Sequence, residues 1–69
     1  MNIDQEAERL TGIAQAEIDK SNGTMGAAER ILQQTFGPDW NVILRYNLAR
    51  MPNPIEVLVL DYTGPVNRS

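Results

Sequence analysis

Apolar residues recur at spacings of three and four over the first twenty positions of the chain. These residues are Ile3, Ala7, Leu10, Ala14 and Ile18. At about 100° per residue they share one narrow stripe, which predicts an amphipathic helix over residues 3–20. Asn2 is a suitable N-cap, and Gln5 three residues later completes a capping-box pattern. Gly12 weakens the middle of this helix by about 1 kcal/mol relative to Ala, so packing must support it.

A second helical period follows a break at residues 21–23. Asn22 or Gly23 can adopt the left-handed conformation that ends a helix, and Thr24 can cap the next one. The apolar positions that follow span nearly half of a helix surface: Met25, Ala28, Ile31, Leu32 and Phe36. We therefore predict a helix over 25–36 that contacts the first helix and a further element, and Gly37-Pro38 ends it.

After Trp40 the apolar period changes from 3.6 to 2, which is typical of strands. The alternation predicts strands over 41–48 and 55–62, joined by a proline-containing loop into a β-hairpin, with a tail over 63–69. The fold class is therefore α+β, with two antiparallel helices followed by a hairpin (ααββ) in one small domain. The core is predicted from one face of the second strand and seven further residues: Leu10, Ile13, Ile31, Leu32, Phe36, Val42 and Leu44.

The second predicted strand is apolar on both faces. Alternation assigns Ile55, Val57 and Val59 to one face; it assigns Leu58, Leu60 and Tyr62 to the other. A hairpin that lies on two helices buries only one face, so the second face is either covered by the tail or loop or is an interface. A two-stranded sheet also leaves two open edges. Pairing with a second copy, as a homodimer, or with a partner strand would complete a larger sheet.

Negative charge is concentrated in the first segment of the chain. The protein has nine acids and six bases, and residues 1–20 hold five acids and two bases, which accounts for the whole net charge of −3. Direct nucleic-acid binding is therefore disfavoured, and a protein partner with a basic surface is favoured. The acidic flank of the first helix is the predicted contact surface, with Leu58, Leu60 and Tyr62 as the apolar alternative. The acidic flank consists of Asp4, Glu8, Gln15 and Asp19.

The chain contains neither His nor Cys, which most nucleophile–base pairs and transition-metal sites require. A calcium loop starting at Asp19 fails because Gly23 and Thr24 occupy its fifth and sixth positions. Glu56 and Asp61 are five residues apart on a predicted strand, so they point to opposite faces and cannot form a catalytic dyad. We predict no catalytic residues, no cofactor and no metal.

The chain lacks a signal-peptide pattern and a run of about 20 apolar residues, so we expect a cytoplasmic protein without membrane contact. In size, acidity and lack of catalytic groups it is similar in class to phage-encoded inhibitors, anti-CRISPR proteins among them. That similarity implies a non-enzymatic interaction protein that binds and blocks or regulates a larger protein, such as one that handles nucleic acid. The alternative is a self-assembling structural or scaffold subunit that pairs hairpin to hairpin; a third reading is an accessory domain of a longer protein.

Overall fold

The chain folds as two helices followed by a two-stranded antiparallel sheet. A computed structural model describes residues 2–21 and 24–65. Its elements are α1 (Ile3–Ser21), α2 (Met25–Phe36), β1 (Trp40–Tyr46) and β2 (Ile55–Tyr62), with short 3₁₀ turns before and after β1. This is the α+β order that the change of period predicts.

Local capping groups set the helix boundaries. The Asn2 side chain accepts a hydrogen bond of 3.2 Å from the backbone amide three residues later, and Thr24 does the same at 3.3 Å. Gly37 ends α2 with a φ of 65°, a conformation that costs other residues more than glycine. These three boundaries confirm the sequence prediction. The predicted end of the first helix at Asn22 or Gly23 lies outside the described residues.

The first strand is shorter at its C-terminal end than predicted. It ends at Tyr46, because the Asn47 side chain accepts a hydrogen bond of 3.1 Å from the Ala49 amide and starts a 3₁₀ turn. Leu48, predicted to lie in the strand over 41–48, is in this turn and is 76% exposed. The loop closes where the Asn47 amide donates to the Pro54 carbonyl at 2.7 Å.

A β-bulge changes which side chains of β2 share a face. Leu60 has no opposite residue in β1, so the pairing register shifts there by one position. Tyr62 consequently pairs with Trp40, and their rings lie 4.8 Å apart on the helix-covered side of the sheet. The prediction that Tyr62 shares the outer face with Leu58 was wrong, because strict alternation does not hold through a bulge.

The hydrophobic core lies between the helices and one face of the sheet. Its buried members are Ala14, Ile18, Ala28, Leu32, Phe36, Ile55 and Val57. Leu10, Ile31, Val42 and Leu44, all predicted core residues, are partly buried against this cluster. Ile13 was predicted in the core but is 44% exposed. The buried stripe of α1 passes through Ala14 and Ile18, and adjacent helix positions point about 100° apart.

The chain after β2 is held against the start of β1. The Thr63 amide donates to the Asp39 carbonyl at 2.7 Å, and the Tyr62 hydroxyl donates to the Pro65 carbonyl at 2.6 Å. A Cβ at Gly64 would lie 2.7 Å from both the Asp39 side chain and the Tyr62 hydroxyl. Glycine is therefore required by close approach here. The predicted tail is thus ordered against the sheet at residues 63–65, and its remainder lies outside the described residues.

Candidate functional site

A groove follows the seam between α1 and β2, and we call it the seam groove. It consists of two adjoining pockets of about 590 and 480 Å³ that share Ala7 and Val59. The helix side is formed by Ile3, Asp4, Ala7, Glu8, Thr11, Gly12 and Gln15. The remaining lining residues are Trp40, Arg50, Glu56, Val57, Val59, Leu60, Asp61 and Tyr62. The seam groove therefore runs along α1 beside the free edge of β2.

Small residues keep the middle of the seam groove open. Ala7, Thr11 and Gly12 form the helix side there, and a Cβ at Gly12 would meet nothing within 4 Å. The Thr11 hydroxyl donates to the Ala7 carbonyl at 2.6 Å, so its hydrogen is used inside the helix. Gly12 was interpreted from the sequence as a weak point of the helix. In the structure its lack of a side chain also leaves open space on the groove side of α1.

The side chain of Gln15 closes part of the free edge of β2. Its amide nitrogen donates to the Ile55 carbonyl at 2.9 Å, and its oxygen accepts from the Val57 amide at 3.0 Å. These are the bonds that a residue of a neighbouring strand would form. Alternate residues of an antiparallel strand direct their backbone groups to the same side. The Val57 carbonyl and both backbone groups of Val59 therefore also point away from β1, towards the seam groove.

A polar network ties one end of the seam groove together. Asp19 accepts hydrogen bonds from Gln15 at 3.2 Å and from Arg50 at 3.1 and 3.4 Å. Arg50 also donates to the carbonyls of Asn53 and Ile55, at 3.0 and 3.2 Å. Gln15 and Asp19 were predicted to contact a partner. In the structure, their polar atoms connect α1 to β2 and to the loop that precedes it.

The network makes stability depend on pH. The hydrogen bond from Arg50 is the main cause that lowers the pKa of Asp19 below 3.8; partial burial opposes the shift and Gln15 adds to it. A carboxyl whose pKa is lower in the folded state contributes stability above its unfolded pKa, and this contribution is lost as the pH falls through the folded pKa. We expect the stability lost on acidification below about pH 4 to be smaller in Asp19→Asn. Urea denaturation at a series of pH values from neutral to acidic measures this loss in the wild type and in Asp19→Asn. An equal loss of unfolding free energy in both proteins would contradict the role given to the Asp19–Arg50 pair.

Three carboxylates at the rim of the seam groove are free of ion pairs within the described residues. Asp4 and Glu8 are exposed on α1, and Asp61 lines the same pocket as Asp4. The acids that do form ion pairs are Glu6, Glu17, Asp19 and Glu56, which contact Arg9, Lys20, Arg50 and Arg45, respectively. Within residues 2–21 and 24–65 the rim therefore offers carboxylates without an ion-pair partner next to apolar surface, an arrangement suited to cationic side chains.

The structure brings most of the predicted contact residues to one place. The members of the predicted set that line the seam groove are Asp4, Glu8, Gln15, Leu60 and Tyr62. Asp19 adjoins them through its bond to Gln15. Leu58 is the exception, since it pairs with Ile43 and lies on the opposite face of the sheet. The sequence gives no signal for the groove itself, which depends on how α1 is placed along β2.

Two structural limits apply to this site. No described helix is long and apolar enough to cross a membrane. Within residues 2–21 and 24–65, no three carboxylates lie close enough together to hold a metal ion.

No known protein family, no curated protein and no solved structure matches the chain. The seam groove is therefore a candidate site on its geometry alone.

Proposed function

We propose that this chain is a non-enzymatic interaction protein that binds a basic segment of a larger protein in the seam groove and thereby blocks or regulates that protein. The observation that carries the proposal is the open groove itself. It combines small residues on its helix side with three rim carboxylates that form no ion pair in the described part of the chain. The net charge of −3 adds long-range attraction for a basic partner.

The groove supports this proposal better than the acidic helix alone. Charge pairs between exposed side chains contribute at most about 1 kcal/mol each. Apolar contact contributes about 25 cal/mol per Å² of buried surface, and the seam groove offers it through Ile3, Val59 and Leu60. Lys and Arg suit such a place, because their stems cover apolar surface while their charged ends reach carboxylates. Proteins that handle nucleic acid carry clusters of these residues, so a surface of that kind is the partner we propose.

A binding role, rather than a catalytic one, is supported by the state of the polar groups in the groove. Its hydroxyl groups, on Thr11 and Tyr62, both donate to backbone carbonyls. Nucleophilic catalysis needs a hydroxyl directed at a base instead. The carboxylates at the rim are exposed, which suits ion pairing with a partner.

Reversal of the rim charges tests the proposal. The probe is a capped heptapeptide of alternating Lys and Val, and the signal is the fluorescence of Trp40, the single tryptophan, which lines the groove. Asp4→Lys combined with Glu8→Lys is expected to raise the Kd about tenfold, because two attractive contacts become repulsive. Added salt should weaken wild-type binding.

The matched control is Glu17→Lys combined with Glu29→Lys. This variant changes the net charge by the same amount at exposed positions that do not line the seam groove. Its Kd should rise much less than that of the rim variant. Equal weakening by both variants would mean non-specific attraction to an acidic protein. If the wild-type protein does not bind the heptapeptide, the proposal is wrong.

A further inference from the structure

We propose that the bound segment enters the seam groove as an added β-strand, hydrogen-bonded to the free edge of β2 beneath α1. This inference rests on the proposed function and specifies how the partner is held. Strand addition at an exposed sheet edge uses backbone hydrogen bonds for affinity and alternate side chains for specificity. The edge of β2, the space beside it and the charges around it each support this mode of binding.

The edge of β2 already holds one amide group in the position of a neighbouring strand. Gln15 donates to the Ile55 carbonyl and accepts from the Val57 amide at 2.9 and 3.0 Å. A planar amide therefore fits beside this edge at ordinary hydrogen-bond distance. The next groups along the same edge are the Val57 carbonyl and the amide and carbonyl of Val59. The Gln15 side chain forms no hydrogen bond with these groups in the described part of the chain, because its nitrogen bonds to Ile55 and its oxygen to Val57.

The space for an added strand lies beneath α1, beside the free edge of β2. Neighbouring strands lie about 4.8 Å apart, whereas packed helices lie about 8–10 Å apart. Two helices on one face of a two-stranded sheet therefore extend beyond it. The seam groove is the space under the α1 side of this overhang, and Ala7 and Gly12 leave it open. A third strand in this space would cover the half-buried side chain of Val59.

The occupant that these features fit is a short extended segment of another protein, with basic and apolar residues in alternation. Basic side chains meet Asp4, Glu8 and Asp61 at the rim. Apolar side chains on the opposite side of the strand lie beside Leu58 on the outer face of the sheet. A second copy of this chain fits less well. In antiparallel edge-to-edge pairing its own helices would lie on the same face of the sheet as α1 and compete for the same space.

Amide hydrogen exchange with the Lys–Val heptapeptide tests the mode of binding. Saturation with the probe is expected to slow exchange of the Val59 amide about tenfold or more, because this amide gains a hydrogen-bond partner. The Val57 amide is already bonded to Gln15, and the Leu58 amide lies on the side that faces β1. Their exchange should slow only by the factor that binding adds to global stability, which is smaller than the change at Val59. Equal protection of all three would indicate general stabilisation instead and would overturn strand addition.

N-methylation of the probe gives an independent test. One peptide is methylated at alternate amides and a second at the intervening amides, so that only one of them keeps the donors that face β2. One methylated probe should lose binding and the other should keep it. If both bind as well as the parent peptide while the Asp4 and Glu8 dependence persists, strand addition is wrong and the proposed function stands.

Filling the groove separates this site from other surfaces. Gly12→Leu puts a large side chain into the open space and also favours helix, so the fold should be kept and probe binding should fall about tenfold or more. Ala16→Leu is the control, because Ala16 is exposed on α1 outside the groove. Undiminished binding by Gly12→Leu would overturn the proposal. Protection of Val59 that rises with protein concentration without probe would identify a second copy as the occupant and would also overturn it.

Discussion

Phe36→Ala is expected to lower the free energy of unfolding by about 3–5 kcal/mol, the usual cost of removing a buried aromatic side chain. Phe36 is 5% exposed and lies in the core at the end of α2. Its ring meets that of Trp40 edge to face at a centroid distance of 6.2 Å. Its removal would leave a cavity between α2 and the start of β1, and Trp40 would lose one of its two aromatic neighbours.

This loss is comparable to the whole stability expected of so short a chain. A domain of about 60 residues buries only about 60% of the surface that it exposes when unfolded, and it is correspondingly marginal. Urea denaturation followed by far-UV circular dichroism should find Phe36→Ala largely unfolded before urea is added. Gln34→Ala, at an exposed position of the same helix, should change stability by about 0.5 kcal/mol or less. A cooperative transition of Phe36→Ala close to that of the wild type would contradict this account.

Gln15→Ala is expected to cost about 1–3 kcal/mol, the price of leaving a partly buried backbone group without its partner. The substitution removes the acceptor of the Val57 amide, while the Ile55 carbonyl keeps its bond from Arg50 at 3.2 Å. Asp19 also loses one donor. The effect is therefore a loosening of α1 from β2, not the formation of a large cavity.

Residue-resolved hydrogen exchange distinguishes this cause from a general loss of stability. In Gln15→Ala the Val57 amide should exchange faster by more than the global change in stability accounts for. The Leu58 amide, which faces β1, should follow the global change. Gln33→Ala, an exposed glutamine on α2, serves as the control and should affect neither amide. Equal acceleration at Val57 and Leu58 would show that Gln15 has no specific role at the sheet edge.

The elements that could be predicted from the sequence are those set by neighbouring residues. The helix starts at Asn2 and Thr24 depend on a side chain that reaches an amide three residues away. The end of α2 depends on Gly37 and the proline that follows it. Capping and period are local properties, so one sequence is enough to infer them. The early end of β1 is also local, but the Asn47 turn competes with an apolar alternation that continues to Leu48.

The features that could not be predicted depend on residues far apart in the chain. Gln15 contacts β2 across 40 positions of sequence, and no local pattern indicates where a glutamine side chain ends after folding. The bulge at Leu60 depends on how β2 fits both β1 and the helices. Without these two features, the sequence did not show which residues of β2 lie beside the predicted acidic flank of α1. Asp4 and Glu8 were predicted as contact residues from charge alone, whereas the groove beside them depends on the placement of α1 on β2.

The bulge at Leu60 also determines how β2 tolerates changes of length. Because side chains alternate with a period of two, deletion of Leu60 would remove the bulge and leave Tyr62 opposite Trp40, whereas one residue inserted after Leu60 would send Tyr62 to the opposite face. Trp40 would lose its ring contact with Tyr62, and the closure at Gly64 would lose the hydroxyl that anchors it. Insertions in the proline-containing loop do not change which face of the sheet each side chain of β2 occupies. Homologues of this chain are therefore expected to vary in length before Ile55 and to lack single-residue insertions between Leu60 and Tyr62.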